Sequence, residues 1–392
     1  VGLPLRAQAK EGDRERVPSL DGVRGIAILL VLLFHSLLVN EDAMPFGPVY
    51  AIAASGWSGV NLFFVLSGYL ITGILLDAPR TGRGLRNFYA RRALRILPLY
   101  YATLLVFFFV LPREPFPSLA WHDERQLLYW AYVQNWAIAA HGAWPETPNL
   151  NHLWSLNIEE QFYLVWPLLV FWLGRRRLLW LCAALIAGCL ALRSMLFAGG
   201  TAWVAIYVMT ITRLDDLAVG GAIACLARDP RGLAPLRPAA LAIGGACLAY
   251  VAGAMILRGA FELSDDATVT LGFSVASLGF GCALVGAVTA RPGGAVDRVL
   301  SAAPLRILGK YSYCIYVVHL PIVVSLAVPP GLGHLALFGY AAMDATAAYT
   351  VHLAVAVALS LAVAFASWHL IELPFLRLKG RFANPPPSAG DA

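Results

Sequence analysis

The sequence predicts an all-α, polytopic membrane protein with about ten transmembrane helices and both termini cytoplasmic. Composition is the first ground. Apolar residues make up 59% of the 392 residues and charged residues only 13%, about half the ~25% of an ordinary soluble domain. A soluble fold cannot bury that much apolar surface without leaving large exposed patches. The second ground is pattern. Apolar runs long enough to cross about 30 Å of hydrocarbon recur along the chain, and they do not alternate as the strands of a membrane barrel would. The third is charge. With the N-terminus inside, 24 of the 29 Lys and Arg fall in cytoplasmic segments, the bias that orients membrane helices. The net charge of +6 then reflects topology, and no nucleic-acid partner is expected.

Residues 1–23 form a polar cytoplasmic lead to a first span at 24–40. This run lacks a small-residue cleavage site and carries a histidine, so it reads as a retained helix and not as a signal peptide. In "DGVRGIAILLVLLFHS", Arg24 and His35 bracket ten residues of which nine are apolar. Eleven steps of about 100° make three turns plus roughly 20°, so both side chains share one face about 16 Å apart. Arg24 alone fits a positive-inside anchor. His35 lies deeper, where an ionisable group is costly and marks function by default, a histidine bonding a neighbouring helix being the alternative. The spacing resembles the length of the pantetheine arm of coenzyme A, so one face has room for a phosphate anchor and a base.

The second span, 58–77, contains "NLFFVLSGYLIT", with Asn61, Ser67 and Gly68; small residues there also suit helix packing. "RRALRILPLYY" precedes the third span, 97–112. It places Arg91, Arg92 and Arg95 in a loop from Arg80 to Arg95 that holds six arginines. Arginine forks suit phosphates, although the same residues serve as a topology signal. Leu127 to Ala140, interrupted by Gln134 and Asn135, reads as interfacial or re-entrant. The fourth span, 155–173, opens within "NHLWSLNIEEQFYLVWP". Counted from the outer face, Glu159 is expected near the depth of His35, where a carboxylate orients an imidazole. Acidic residues also suit a helix N-terminus, with Ser155 as cap.

A fifth span, 178–197, follows Arg175 to Arg177. The sixth, 203–226, carries "TRLDDLAVGG", which puts Arg213, Asp215 and Asp216 near mid-membrane; an Arg213–Asp216 pair at i, i+3 is the structural alternative. Spans follow at 239–257, 268–290, 311–328 (with His319 in "KYSYCIYVVHLP") and 349–369. Residues 377–392 read as a cytoplasmic tail, disordered by composition. The six cysteines sit singly in apolar runs and read as small hydrophobes. Neither His35 nor His319 has a local companion at ligand spacing, so no metal is expected. No internal repeat is visible, which weakens a transporter reading.

Together these residues resemble the acyltransferase-3 family of bacterial integral-membrane acyltransferases. Arg24 and His35 match its Arg-x10-His element, and Phe63, Phe64, Ser67 and Gly68 its FFxxSG element. Arg91, Arg92, Arg95 and Pro98 match RRxxRIxPxY; Ser155, Glu159, Gln161 and Tyr163 match SLxxExQFY; Arg213 and Asp215 match Arg-x-Asp. The late YxxYxxH and ExP elements match Tyr313, Tyr316, His319, Glu372 and Pro374. The resemblance covers nearly the whole chain and implies a transmembrane acyltransferase domain over 24–376, lipid-embedded in the bacterial inner membrane. It implies transfer of an acyl group from cytoplasmic acyl-CoA, acetyl-CoA above all, to a hydroxyl of a glycan such as lipopolysaccharide, another cell-surface polysaccharide or a lipid-linked sugar.

Under that resemblance His35 is a general base or transient acyl carrier, tuned by Glu159, and Arg24, Arg91, Arg92 and Arg95 hold the phosphates of coenzyme A. Asn61, Ser67, Gln161, Tyr163, Arg213, Asp215, Tyr316 and His319 are the candidates for the substrate cavity. A small natural product such as a macrolide or glycoside is the alternative acceptor. From another class, a proton-coupled transporter or flippase would bury the same residue types, and an assembly scaffold would tolerate loss of His35. Some members carry a C-terminal periplasmic esterase-like domain. Here the chain ends soon after the tenth span, so the expectation is that the membrane core binds its acceptor itself or with a separate partner.

Overall fold

The computed structural model describes residues 18–38, 47–110, 124–145, 149–326 and 344–382; the first 17 and last ten residues, parts of the expected N-terminal lead and tail, lie outside them. Among the described residues every regular element is helical. Helix α1 (Pro18–Leu38) begins six residues ahead of the expected span. Proline at a helix start gives up an N–H that has no partner there. Asp21 faces the positive end of the helix dipole and pairs with Arg24 at 3.4 Å. Residues 18–23 therefore belong to the first membrane helix and not to a separate lead.

Helices α2 (Pro48–Ala54) and α3 (Gly59–Leu76) are joined by a 3-10 turn, Ser55–Ser58. Helix α4 (Gly82–Leu105) continues as a π turn, Val106–Val110. The arginine stretch expected as a loop is thus helical from Gly82 onward. Thr81 caps it, its hydroxyl accepting the Gly84 N–H at 3.1 Å. The re-entrant stretch forms two short helices, α5 (Gln126–Trp130) and α6 (Gln134–His141).

Helix α7 (Trp154–Ala198) has 45 residues. As one rod it would be about 67 Å long, more than twice the hydrocarbon thickness. Gly174, at φ 68° and ψ 164°, breaks it. The chain folds back there, and Trp166 and Cys182 meet beside Gly221. The two arms are the expected fourth and fifth spans. The expected sixth span is not one helix. Short α8 (Trp203–Val208) stops where Met209 turns extended at ψ 134°, and α9 (Leu214–Ala227) resumes after it. Between them the Thr212 hydroxyl is shared by the carbonyls of Ile206 and Met209, at 2.6 and 2.8 Å. A side-chain donor that satisfies carbonyls lets the ladder stop.

The chain continues through α10 (Arg237–Arg258), a π turn (Thr268–Gly272) leading into α11 (Phe273–Val288), and α12 (Ala295–Leu300). Helix α13 (Ala303–Leu326) and α14 (Ala345–Ser367) follow, the latter running through a π turn, Trp368–Glu372, into α15 (Leu373–Arg377). Eight helical stretches among the described residues are long and apolar enough to cross a membrane. Counting both arms of α7 and the broken α8–α9 unit brings the passes to the ten expected. The protein is a multi-pass membrane protein. Trp172, Trp180, Leu241 and Leu257 are 70–84% exposed, a surface suited to lipid.

Helix α1 packs on α13, α3 on α9, both α3 and α7 against the α9 core, and α10 on α11. The α3–α9 crossing needs glycine on both sides. A Cβ on Gly68 would lie 2.0 Å from the Leu217 carbonyl oxygen, and one on Gly220 would lie 1.9 Å from that of Val65. Gly68 therefore serves packing, while its neighbour Ser67 turns to a cavity. All six cysteines are free.

Candidate active site

Two cavities meet inside the bundle. The first, about 820 Å³, is lined by Arg24 of α1, Ser67 of α3, Arg92 and Arg95 of α4, and Glu159 and Tyr163 of α7. Three guanidinium groups and one carboxylate line it, and arginine forks suit phosphates. The Ser67 and Tyr163 hydroxyls bond each other, and both line the cavity with Glu159. The Arg92 guanidinium stacks over the Tyr163 ring at 4.7 Å, and Arg92 and Arg24 share the cavity with Glu159.

The second cavity, about 1490 Å³, is lined by His35, His152, Tyr50, Glu262 and a group of aromatic rings. Tyr207 sits at the centre of that aromatic wall, its ring 4.5 Å from Trp154, 6.3 Å from Trp144 and 6.4 Å from Trp57. Val60 and Tyr316 line both cavities. Tyr316 is fixed between them: its hydroxyl bonds the Ser155 hydroxyl and donates to the His152 carbonyl at 3.0 Å, and its ring meets Phe63 edge-on at 5.9 Å.

His35 does not stand alone. His319 Nδ1 lies 2.7 Å from the Tyr316 carbonyl, which can only accept, so that nitrogen carries the proton. His35 Nδ1 lies 2.9 Å from the Val31 carbonyl and is protonated for the same reason. The remaining His319 nitrogen, Nε2, is then a bare acceptor facing His35 Nδ1 at 3.3 Å. In neutral rings this leaves the lone pair of His35 on Nε2, the nitrogen a base or nucleophile uses. His152 meets His319 edge-on, with centroids 4.9 Å apart. Each of the three imidazoles is tied to a backbone carbonyl, and among the described residues no three ligand-type side chains converge on a metal position.

The expected partnership of Glu159 with His35 is not formed. The level of His35 on α7's side is taken by His152, in the 3-10 turn Asn151–Leu153 just before α7. Glu159 lies seven residues further along, about 10 Å deeper, in the arginine-lined cavity. Five other candidates for the substrate cavity line neither cavity, His319 among them. Arg213 pairs with Asp216 at 2.9 Å, fully buried, and its guanidinium rests on Phe273 at 4.6 Å and behind Tyr207 at 5.0 Å. Asp215 pairs with Arg193 instead, at 2.7 Å. Asn61 donates to Asp216 at 2.8 Å. Gln161 donates to the Tyr132 carbonyl at 2.9 Å and to Asn135 at 3.1 Å, clamping the short helices against α7. These residues brace the cavity walls without reaching them. Arg91 is likewise absent from either lining, one helical step off the face that holds Arg92 and Arg95. Arg24, Arg92, Arg95, Ser67, Tyr163 and Tyr316 do line the first cavity, and His35 and Tyr316 the second.

Arg193, inside the fifth span, was given no role from the sequence. The criterion that singled out His35 would have found it. Sequence reasoning also missed Glu262, whose segment "AFELSDD" reads as an ordinary acidic loop.

The fold is that of a helical membrane protein in which an arginine-lined cavity abuts a histidine-lined one. An acyltransferase domain profile matches residues 17–369, and the chain belongs to that acyltransferase family. It is 33% identical over 342 residues to the peptidoglycan O-acetyltransferase OatA of Listeria monocytogenes, covering 81% of this chain and 50% of that protein. It is 28% identical over 378 residues to the putative peptidoglycan O-acetyltransferase YrhL of Bacillus subtilis, covering 93% and 55%. The O-acetyltransferase OatA of Staphylococcus aureus matches at 28% over 333 residues, covering 79% and 51%. The chain thus spans about half the length of these curated relatives. No solved structure matches it.

Proposed function

We propose that this protein is a membrane-embedded O-acyltransferase of the bacterial cytoplasmic membrane, with both termini cytoplasmic. It moves an acyl group, acetyl in the simplest case, from acyl-CoA in the arginine-lined cavity to a glycan hydroxyl in the histidine-lined cavity. The observation that carries this reading is the juxtaposition at Tyr316: three arginines on one side and the open Nε2 of His35 on the other, within an acyltransferase fold. Arg24, Arg92 and Arg95 hold the phosphates, and the pantetheine arm spans the roughly 16 Å between Arg24 and His35.

His35 Nε2 takes the proton of the acceptor hydroxyl as its oxygen attacks the thioester carbonyl. The C–S bond breaks, and the departing thiolate receives that proton from His35. The same nitrogen serves a two-step route, in which it first takes the acyl group with release of coenzyme A and then passes it to the hydroxyl. His319 holds the reacting tautomer. Glu159, with Ser67 and Tyr163, organises the arginine-lined cavity. The relatives' names point to the glycan of peptidoglycan as the acceptor class. The purified protein, given acetyl-CoA, should release coenzyme A thiol, measured with a thiol reagent, faster when solubilised peptidoglycan strands are present. Intact acetyl-CoA under all conditions, with movement of strands across vesicle membranes, would favour the transporter reading instead.

A further inference from the structure

A second carboxylate, with no part in the mechanism above, stands in the cavity that holds His35. Glu262 lies in the segment between α10 and the Thr268–Gly272 turn. Its neighbours are packed away: Phe261 is 1% exposed and Leu263 8%. Trp57 Nε1 donates to the Phe261 carbonyl at 2.8 Å, and an ion pair of Arg258 with Asp265 ties the two ends of the segment. The backbone on either side of Glu262 is therefore fixed, and the side chain is delivered to the cavity wall. Tyr50 donates its hydroxyl to Oε1 at 3.0 Å. Glu262 has no cationic partner among the described residues, and Oε2 receives no bond from them.

A half-buried carboxylate on the wall of an aromatic cavity, with one oxygen open, has room to take further donors from a ligand. Ionised, it only accepts hydrogen bonds, so its ligand must bring O–H or N–H groups. Trp57, Trp144, Trp154 and Trp203 line the same cavity, and indole faces pack well against the C–H face of a pyranose ring. We propose that Glu262, held by Tyr50, is the acceptor-binding residue: its free oxygen takes the hydroxyls of a neutral sugar stacked on the tryptophans, and so turns a further hydroxyl toward His35. This rests on the reading of the protein as a glycan O-acyltransferase.

Wild type, Glu262→Ala, Glu262→Gln and Tyr50→Phe are compared in acyl transfer from acetyl-CoA to solubilised peptidoglycan strands, with the dissociation constant for coenzyme A measured separately. Loss of charge-assisted hydrogen bonds in Glu262→Ala should raise the acceptor KM ten- to a hundred-fold and leave coenzyme A affinity unchanged. Glu262→Gln, which keeps one accepting oxygen, should lose less, and Tyr50→Phe should raise KM several-fold by freeing the carboxylate. A Glu262→Ala protein that melts like wild type and keeps the wild-type acceptor KM overturns the proposal. So does a KM rise confined to de-N-acetylated strands, since the carboxylate would then bind an ammonium group and not hydroxyls. If wild type transfers no acyl group to the strands although it binds coenzyme A, the functional reading beneath fails, and the role of Glu262 with it.

Discussion

Asp215 should be needed for stability and not for chemistry, and the structure sets the scale of the loss. It is 1% exposed and its partner Arg193 is fully buried. Arg193 donates to Asp215 through both terminal nitrogens, at 3.0 and 2.7 Å, and Ser274 adds a third bond at 3.0 Å. Arg193 also donates to the Thr212 carbonyl at 2.5 Å, which pins the break between α8 and α9. Asp215→Ala leaves two buried arginines beside one aspartate, Asp216. Breaking a buried pair in this way costs about 3–5 kcal/mol, close to the ~1.5–3 kcal/mol expected of each of two charge-assisted bonds. Against a total stability of about 5–15 kcal/mol, that is a large fraction. Thermal unfolding of the detergent-purified protein, followed by tryptophan fluorescence, should show a much lower midpoint. The double variant Arg193→Met, Asp215→Leu should melt above either single variant, because no charge is left unpaired. An Asp215→Ala protein that melts like wild type yet has lost turnover would refute this reasoning and return Asp215 to the substrate.

Three further outcomes follow from the site. Arg92→Ala should weaken coenzyme A binding about ten- to a hundred-fold, with only partial recovery in Arg92→Lys, which keeps the charge and loses the fork; equal affinities in a low-salt titration would leave Arg92 an orientation signal. His319→Ala removes an acceptor 3.3 Å from His35 Nδ1, a neutral bond of about 0.5–1.5 kcal/mol, so kcat should fall roughly two- to ten-fold with donor affinity unchanged; an unaltered kcat would remove His319 from the positioning of His35. Cysteines placed at Arg86 and at His141 should react with an impermeant maleimide from opposite sides of the membrane, and labelling from one side would overturn the orientation.

The fold was largely legible because a membrane imposes it. Apolar runs of about twenty residues must be helices, and the Arg175 to Arg177 cluster marked the turn that Gly174 makes. The broken sixth span was not legible. Its residues are apolar on both sides of Met209, and the break depends on a Thr212 hydroxyl and on an arginine 19 residues away in the second arm of α7. The same limit governs the site. Arg213 with Asp216 is a local pair and follows from spacing. Arg193 with Asp215, or His35 with His319 across 284 positions, depends on packing that spacing does not encode. Glu159 was placed at the depth of His35 by counting from a helix end. The extra turn at Asn151–Leu153 put His152 there instead.

Whether His35 is the nitrogen through which the acyl group passes is decided by following the label. Purified wild type and His35→Ala are incubated with acetyl-CoA carrying a labelled acetyl group and with solubilised peptidoglycan strands, and the strands are analysed for base-labile ester by mass spectrometry. Wild type should esterify the strands. A folded His35→Ala protein that binds coenzyme A normally should do so about 10²–10⁴-fold more slowly, the usual cost of losing a general base. Labelled ester at near wild-type rate from His35→Ala would contradict the assignment of His35.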